Sequence, residues 1–263
     1  VVEVILFSML LGMVSGLLAG LFGIGGGLVI VPVLVILFSA QGFPADLVMI
    51  MSVATSLAAI IFTSIASVLA HYHLGSAGWD KVFRLGPGIM VGAAVGAVIA
   101  NHIAVDVLRF IFILFLLYVG VQMAFQIQPK PGTVRQSKVL DYGVAVIIGL
   151  LSSIVGLGGG TLTVPYLVRC QTPMRNAVAV SSACGLPIAV AGTASYAIVG
   201  WHALQLPEWS LGYVYLPSFL GIGLSSVFTA PLGAKLAHKL PAQKLKRYFS
   251  LLIFLMAVKL MWY

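Results

Sequence analysis

Charge is what this 263-residue sequence has least of: 8% of its residues are charged, six acids against fourteen Lys and Arg. A soluble domain carries roughly 25%, because its surface faces water. So few charges exclude an ordinary soluble fold. Cysteine is equally scarce, with only Cys170 and Cys184 and neither Cys-x-x-Cys nor Cys/His ligand spacing. That excludes a disulfide scaffold and a zinc site, and both read as small apolar packing residues. Strand-like alternation is missing as well. Phe110–Val119 reads FIFILFLLYV, whereas a membrane β-barrel needs ~10-residue alternating segments.

What is there instead is long apolar blocks: Val4–Phe22, Leu47–Ala70, Ile103–Phe125, Val139–Val155 and Tyr248–Tyr263. Several approach the ~20 residues that span a hydrocarbon core. Helices satisfy their own backbone in lipid, so the expected class is an all-α polytopic membrane protein with membrane lipid as its constant partner. The first block is one of several, and reads as part of that body rather than as a signal peptide. A net charge of +8 would suggest nucleic acid in a soluble chain. Here the cations sit at block ends, where headgroups and topology account for them, and no nucleic-acid partner is expected.

The chain is written twice. Gly16–Pro32 (GLLAGLFGIGGGLVIVP) aligns with Gly149–Pro165 (GLLSSIVGLGGGTLTVP) at an offset of 133. Gly23 pairs with Gly156, the run Gly25, Gly26, Gly27 with Gly158, Gly159, Gly160, and Pro32 with Pro165. Further on, Gly96–Ile103 aligns with Gly233–Leu240, and Ala54-Thr55-Ser56 more loosely with Val180-Ser181-Ser182. The expected organisation is an N-terminal transmembrane repeat over residues 1–126, a cytoplasmic linker over 127–138 containing Pro129, Pro131 and Gly132, and a C-terminal transmembrane repeat over 139–263. The two repeats make one domain.

Twelve of the fourteen cations fall in four loops: Lys81 and Arg84; Lys130, Arg135 and Lys138; Arg169 and Arg175; and Lys235, Lys239, Lys244, Lys246 and Arg247. Loops at Ser39–Asp46, Asn101–Arg109 and Trp201–Leu211 hold only Arg109. The positive-inside rule puts the first four on the cytoplasmic side. Corresponding loops of the two repeats then lie on opposite sides, so the repeats are expected to be inverted, with an odd number of crossings each.

The glycine clusters decide that parity. After Gly23–Gly27 only Leu28–Phe38 stays apolar, and after Gly156–Gly160 only Thr161–Val168. Eleven helical residues cover roughly 16 Å, about half the hydrocarbon thickness. Each cluster should therefore break a helix near the midplane, which then turns back or continues as a half-helix, for eight to ten segments in all. Irregular backbone at that depth is tolerated only inside protein or along a cavity, and paired broken helices in two repeats point to a substrate site. Unpaired N–H groups at a helix start bind anions, and glycine leaves no Cβ in the way. The expected binding set is Gly25, Gly26, Gly27 and Leu28 with Gly158, Gly159, Gly160 and Thr161. Thr55, Ser56, Ser181, Ser182, Thr163 and Asn176 are candidates to complete it. Gly23, Gly156, Pro32 and Pro165 shape the half-helices, and Pro187 marks a further kink. Gly12, Gly16, Gly20, Gly88, Gly92, Gly96, Gly192 and Gly223 read instead as helix-packing glycines.

Glu3, Asp46, Asp80, Asp106, Asp141 and Glu208 all fall at block ends or in loops. Proton pumps and cation carriers place carboxylates inside the membrane, so neither a cation substrate nor proton coupling through such a group is supported. His71 and His73 are spaced i,i+2, wrong for one helical face, and read as interfacial histidines. No metal and no cofactor is expected. Arg175 reads as a topology determinant beside Asn176. A dinucleotide-binding loop is excluded because the second copy has no acid until Glu208.

The doubled Gly-x-Gly-Gly-Gly-x4-Pro pattern, each copy followed by a small-hydroxyl stretch, resembles the TauE/SafE family of membrane transporters for sulfite and organosulfonates, over nearly the whole chain. The resemblance implies a non-enzymatic exporter of a sulfur-containing anion, such as sulfite, sulfoacetate or a related organosulfonate, in a bacterial inner membrane. By position it points to Gly23–Gly27 with Pro32, Gly156–Gly160 with Pro165, and the two hydroxyl stretches. The second stretch reads Val-Ser-Ser rather than Ala-Thr-Ser. The expected mechanism is alternating access. An anion channel on the same site is one alternative. Another is an integral-membrane enzyme acting on lipid, for which no nucleophile, base or metal constellation stands out.

Overall fold

The structure is a computed structural model and describes residues 2–22, 26–73, 78–125, 132, 137–237 and 242–262. These residues are helical except for one small hairpin and the connecting turns. The order is α1 (Val2–Phe22), α2 (Gly27–Ala40), α3 (Ala45–His73), α4 (Trp79–His102), α5 (Val105–Ala124), α6 (Lys138–Val155), α7 (Gly160–Arg169), α8 (Met174–Val199), β1 (Ser210–Leu211), β2 (Val214–Tyr215), α9 (Leu216–Ala237) and α10 (Ala242–Met261). Seven helices, α1, α3, α4, α5, α6, α8 and α9, are long and apolar enough to cross a membrane. The chain is a multi-pass membrane protein. α10 is 20 residues long, but its first turns contain Lys244, Lys246 and Arg247. α2 and α7, the helices that follow the glycine clusters, have only 14 and 10 residues.

Local sequence explains where these helices stop. α6 ends in a Schellman turn at Gly156, whose φ is +76°. There Leu157 N–H donates to Ser152 O and Gly156 N–H to Ser153 O, capping carbonyls that the helix cannot. The turns leading into α3 and α8 are built alike. Gly42 and Gln171 both take a left-handed φ, of 75° and 60°. Phe43 N–H donates to Phe38 O, and Thr172 N–H to Leu167 O. Pro44 and Pro173 follow, and their carbonyls receive the first helical N–H groups. These turns match at an offset of 129, four fewer than the 133 of the glycine clusters, because α7 is one helical turn shorter than α2. Counted from them, Ser181 stands opposite Ser52 and Ser182 opposite Val53. The looser alignment of Ser181-Ser182 with Thr55-Ser56 is corrected accordingly.

Two glycine-lined pairs, α1 with α9 and α4 with α6, flank a centre where α3 crosses α8. Gly16 lies against Ser226 and Thr229, and Gly233 against the Leu17 carbonyl. Gly149 lies against the Ile89 carbonyl, and Gly96 against that of Leu150. A side chain at any of these would push the helices apart, the usual role of small residues in membrane bundles. Exchanging α1–α5 for α6–α10 maps the main contacts onto themselves. α1·α9 becomes α6·α4, α3·α9 becomes α8·α4 and α2·α3 becomes α7·α8, while α3·α8 and α5·α10 are unchanged.

The molecule has two chemically different ends. At one, Lys81 Nζ donates to Thr172 Oγ1 at 2.5 Å, and Arg84 Nε pairs with Asp141 Oδ2 at 2.5 Å. Tyr166 also donates its hydroxyl to Asp141, and Gly132 of the linker lies beside Arg169. At the other, Phe38, Phe43 and Tyr215 pack ring to ring with centroids 5.0–5.5 Å apart, and Tyr213 Oη donates to Asn101 Oδ1 at 2.6 Å. Lys81, Arg84 and Arg169 thus lie at the first end, and the cation-poor segments around Phe43, Asn101 and the hairpin meet at the second.

Candidate functional site

Both glycine breaks are turn-backs. α1 begins beside α9's start, where Ser8 Oγ donates to Ser218 Oγ at 3.0 Å, and α2 ends at Phe38 in the same aromatic cluster. α6 begins at Asp141 and α7 ends near Tyr166, which are hydrogen-bonded. Each short helix thus returns toward the end from which its partner helix started.

The two short helices open identically. Gly26 is the N-cap of α2 with φ +76° and ψ −16°, and Gly159 the N-cap of α7 with φ +75° and ψ −12°. Only glycine adopts this left-handed geometry without strain. Gly27 and Gly156 to Gly160 are all buried, as are Leu28 and Thr161 at 1% and 7% exposure. The breaks also touch. A Cβ on Gly27 would collide with the Gly156 carbonyl and stand 2.9 Å from the Leu157 side chain. Gly156 itself lies against Val31 and Val53. In the second break, the N–H groups of Gly159, Gly160 and Thr161 have no acceptor among the described residues, while the Gly159 carbonyl takes the N–H groups of Leu162 and Thr163. Gly23 and Gly25 lie outside the described residues.

The hydroxyl candidates divide. Ser56 Oγ donates to Gly156 O at 2.9 Å, tying α3 to the second break, and Thr55 Oγ1 accepts the Tyr215 N–H at 3.0 Å. Both are built into the scaffold. Thr161, Ser181 and Ser182 bury hydroxyls without a partner among the described residues. Asn176 sits in the first turn of α8, nine residues or about 13 Å before Gly185, whose Cα faces the Gly158 carbonyl. It belongs to the cationic end and not to the breaks. Pro32, Pro165 and Pro187 lie inside α2, α7 and α8. The side chains of His71, His73 and Arg175 are outside the described set.

Sequence reasoning named Thr163 but did not single out Ser152, whose unpartnered hydroxyl flanks Gly159 together with that of Thr163, or Asp141 as a buried anchor. Ser152 and Thr163 sit at positions where the aligned first copy has Ala19 and Ile30. That contrast between the copies was the available signal. Asp141, at the start of a block, looked like an interfacial acid, and only its partners on α4 and α7 bury it.

Two glycine-broken helices meeting inside a multi-pass helical bundle define the class of a membrane transporter. The chain belongs to the family described as sulfite exporter TauE/SafE, whose model matches residues 8–260. It is 37% identical over 257 residues to a probable membrane transporter protein of Haemophilus influenzae, covering 97% of each chain. It is 27% identical to a probable membrane transporter protein of Methanocaldococcus jannaschii over 95% of this chain and 92% of that one. A third, from Bacillus subtilis, is 26% identical over 96% and 95%. No solved structure matches. The family is one of transporters and not of enzymes.

Proposed function

We propose that this transporter exports a small sulfur-containing anion, sulfite, sulfoacetate or a related organosulfonate, across a bacterial inner membrane by alternating access, with the anion held where the starts of α2 and α7 oppose each other. The observation that carries this reading is the pair of left-handed glycine N-caps, Gly26 and Gly159, at touching breaks with no charged side chain in either. Two positive helix ends and free N–H groups favour an oxyanion there. The family's description supplies the sulfite-type substrate.

The two halves, 1–126 and 139–263, act in this reading as inverted repeats joined by a cytoplasmic linker. Supporting it, α3 and α8 run antiparallel, with Leu57 beside Gly192, Ser64 beside Gly185 and Gly78 beside Val180. Moreover α1 starts at the aromatic end and its counterpart α6 at the cationic end. Such a pair of halves can rock about a shared site and expose it to each side in turn.

The test is transport in proteoliposomes. Wild-type protein should move sulfite or sulfoacetate, and folded Gly26→Leu and Gly159→Leu variants should not; native-rate transport by both variants would end the glycine-site mechanism. Electrical recording separates a carrier from a channel, since currents far above carrier turnover would replace alternating access with a pore.

A further inference from the structure

Resting on the transporter reading above, we infer that the side-chain part of the anion site lies on one side only, in the second break, as a cradle of uncharged donors that selects singly charged oxyanions, while Gly26, Gly27 and Leu28 at the start of α2 offer backbone N–H groups alone. The breaks match in backbone but not in side chains. Around the second, Ser152, Ser153, Thr161, Thr163, Ser181 and Ser182 bury hydroxyls that have no hydrogen-bond partner among the described residues. None of the six is more than 7% exposed. Thr163 Oγ1 and Ser152 Oγ stand 3.4 and 3.8 Å from where a Cβ of Gly159 would lie, so they flank the free N–H groups of that N-cap. Ser181 and Ser182 lie four and three residues before Gly185, on the face of α8 turned to the break.

The counterparts in the first copy carry no donor: Ala19, Gly20, Leu28 and Ile30 stand where the second has Ser152, Ser153, Thr161 and Thr163. Of the α3 hydroxyls, Ser64 Oγ lies beside Gly185 at the second break, and four others are engaged. Ser52 donates to Val48 O, Ser56 to Gly156 O and Thr63 to Ile60 O, and Thr55 accepts the Tyr215 N–H. More than nine in ten buried polar groups in proteins are paired, and leaving one unpaired carries a desolvation penalty. Such groups about one break, with Ser152 and Thr163 beside its N-cap and Ser153 set back against Gly192, are explained by an acceptor that enters and leaves. An oxyanion with three or more oxygens is that acceptor.

The donors carry no formal charge, and this sets the charge of the ligand. Burial cost grows with the square of an ion's charge, and a buried dianion without a cation is far harder to offset than a monoanion. A sulfonate head fits the cradle, and an uncharged carbon tail fits Val31, which lies against Gly156. Of the proposed substrates, hydrogensulfite and a simple alkanesulfonate are therefore favoured over sulfoacetate, whose carboxylate adds a second charge.

Titration calorimetry on the purified full-length protein, with methanesulfonate, sulfate and phosphate as probes, tests this. Methanesulfonate and sulfate are similar in shape and differ in charge. Methanesulfonate should bind at least tenfold tighter than sulfate; equal or tighter sulfate binding overturns the charge rule. Thr163→Val and Ser152→Ala should each weaken methanesulfonate roughly ten- to a hundredfold, the loss of one hydrogen bond to an anion, and Ser8→Ala should change nothing. If both variants bind like wild type, the one-sided cradle is wrong and the sulfonate reading stands. If phosphate binds in a Thr163-dependent way and methanesulfonate does not, the cradle stands and the sulfur substrate falls. Absence of binding by every probe overturns both. Should Thr163→Val fail to fold, Thr163→Ser must still bind methanesulfonate, and Ser152→Ala must still weaken it; failure of either overturns the cradle.

Discussion

At the scale of residues, the breaks depend on glycine for a conformational reason and a spatial one. Gly26 and Gly159 hold φ near +75°, where an L side chain costs roughly 1–2 kcal/mol. A Cβ on Gly26 would stand 3.0 Å from Ser15 O, and one on Gly159 would run into Ile188. Gly26→Ala and Gly159→Ala should therefore both lower the thermal midpoint of the purified protein; unchanged midpoints would show that the backbone relaxes freely. Asp141 behaves differently. Its side chain is 4% exposed, and Arg84, at 36%, is its ion-pair partner. Arg84→Ala leaves the buried carboxylate without its counter-charge, held by the Tyr166 hydroxyl alone, and should destabilise by roughly 3 kcal/mol. Adding Asp141→Asn should recover part of that loss, and simple additivity in the double variant would mean that the pair is not coupled.

At the scale of elements, the same small-residue logic runs through both repeats. Gly96 and Gly233 sit at matching places on α4 and α9, and each presses on the carbonyl of a matching leucine, Leu150 or Leu17. Gly92 presses on Val146 of α6 in the same way. A valine at Gly92 or Gly233 has nowhere to go, because what it meets is backbone, and overpacking costs roughly 1–3 kcal/mol or more. We expect both variants to yield less monodisperse protein by size-exclusion chromatography in detergent, with Gly86→Val, where a Cβ meets nothing within 4 Å, as a tolerated control. The breaks themselves were legible in the sequence, since three successive glycines cannot form one helix face. That they turn back was not. It depends on Tyr166 reaching Asp141 and on Phe38 reaching Tyr215, contacts between segments far apart in the chain.

At the scale of the whole molecule, the proposed topology makes the two ends chemically and geographically distinct. Cys170 and Cys184 are buried, so introduced cysteines label against a quiet background. Ser39→Cys and Gln205→Cys, in the cation-poor loops, should react with an impermeant maleimide from outside intact cells. Lys138→Cys should react only after the membrane is opened. Labelling of Ser39→Cys or Gln205→Cys only from the cytoplasm would reverse the orientation and, if the two disagree, remove the inversion.

The sequence by itself determined the class and the places of interest. Scarce charge and long apolar blocks require a membrane, where a helix satisfies its own backbone. The 133-residue repeat of the glycine clusters marked the centre, because glycine spacing reports backbone geometry directly. Tertiary structure decided which side chains serve that centre. It tied Thr55 and Ser56 into the scaffold, moved Asn176 to the cationic end, and left Ser152 and Thr163 beside Gly159 with their hydroxyls unpaired. A hydroxyl's role depends on whether a partner lies within about 3 Å, and in a helical bundle that partner is set by packing between distant segments, which no local pattern encodes.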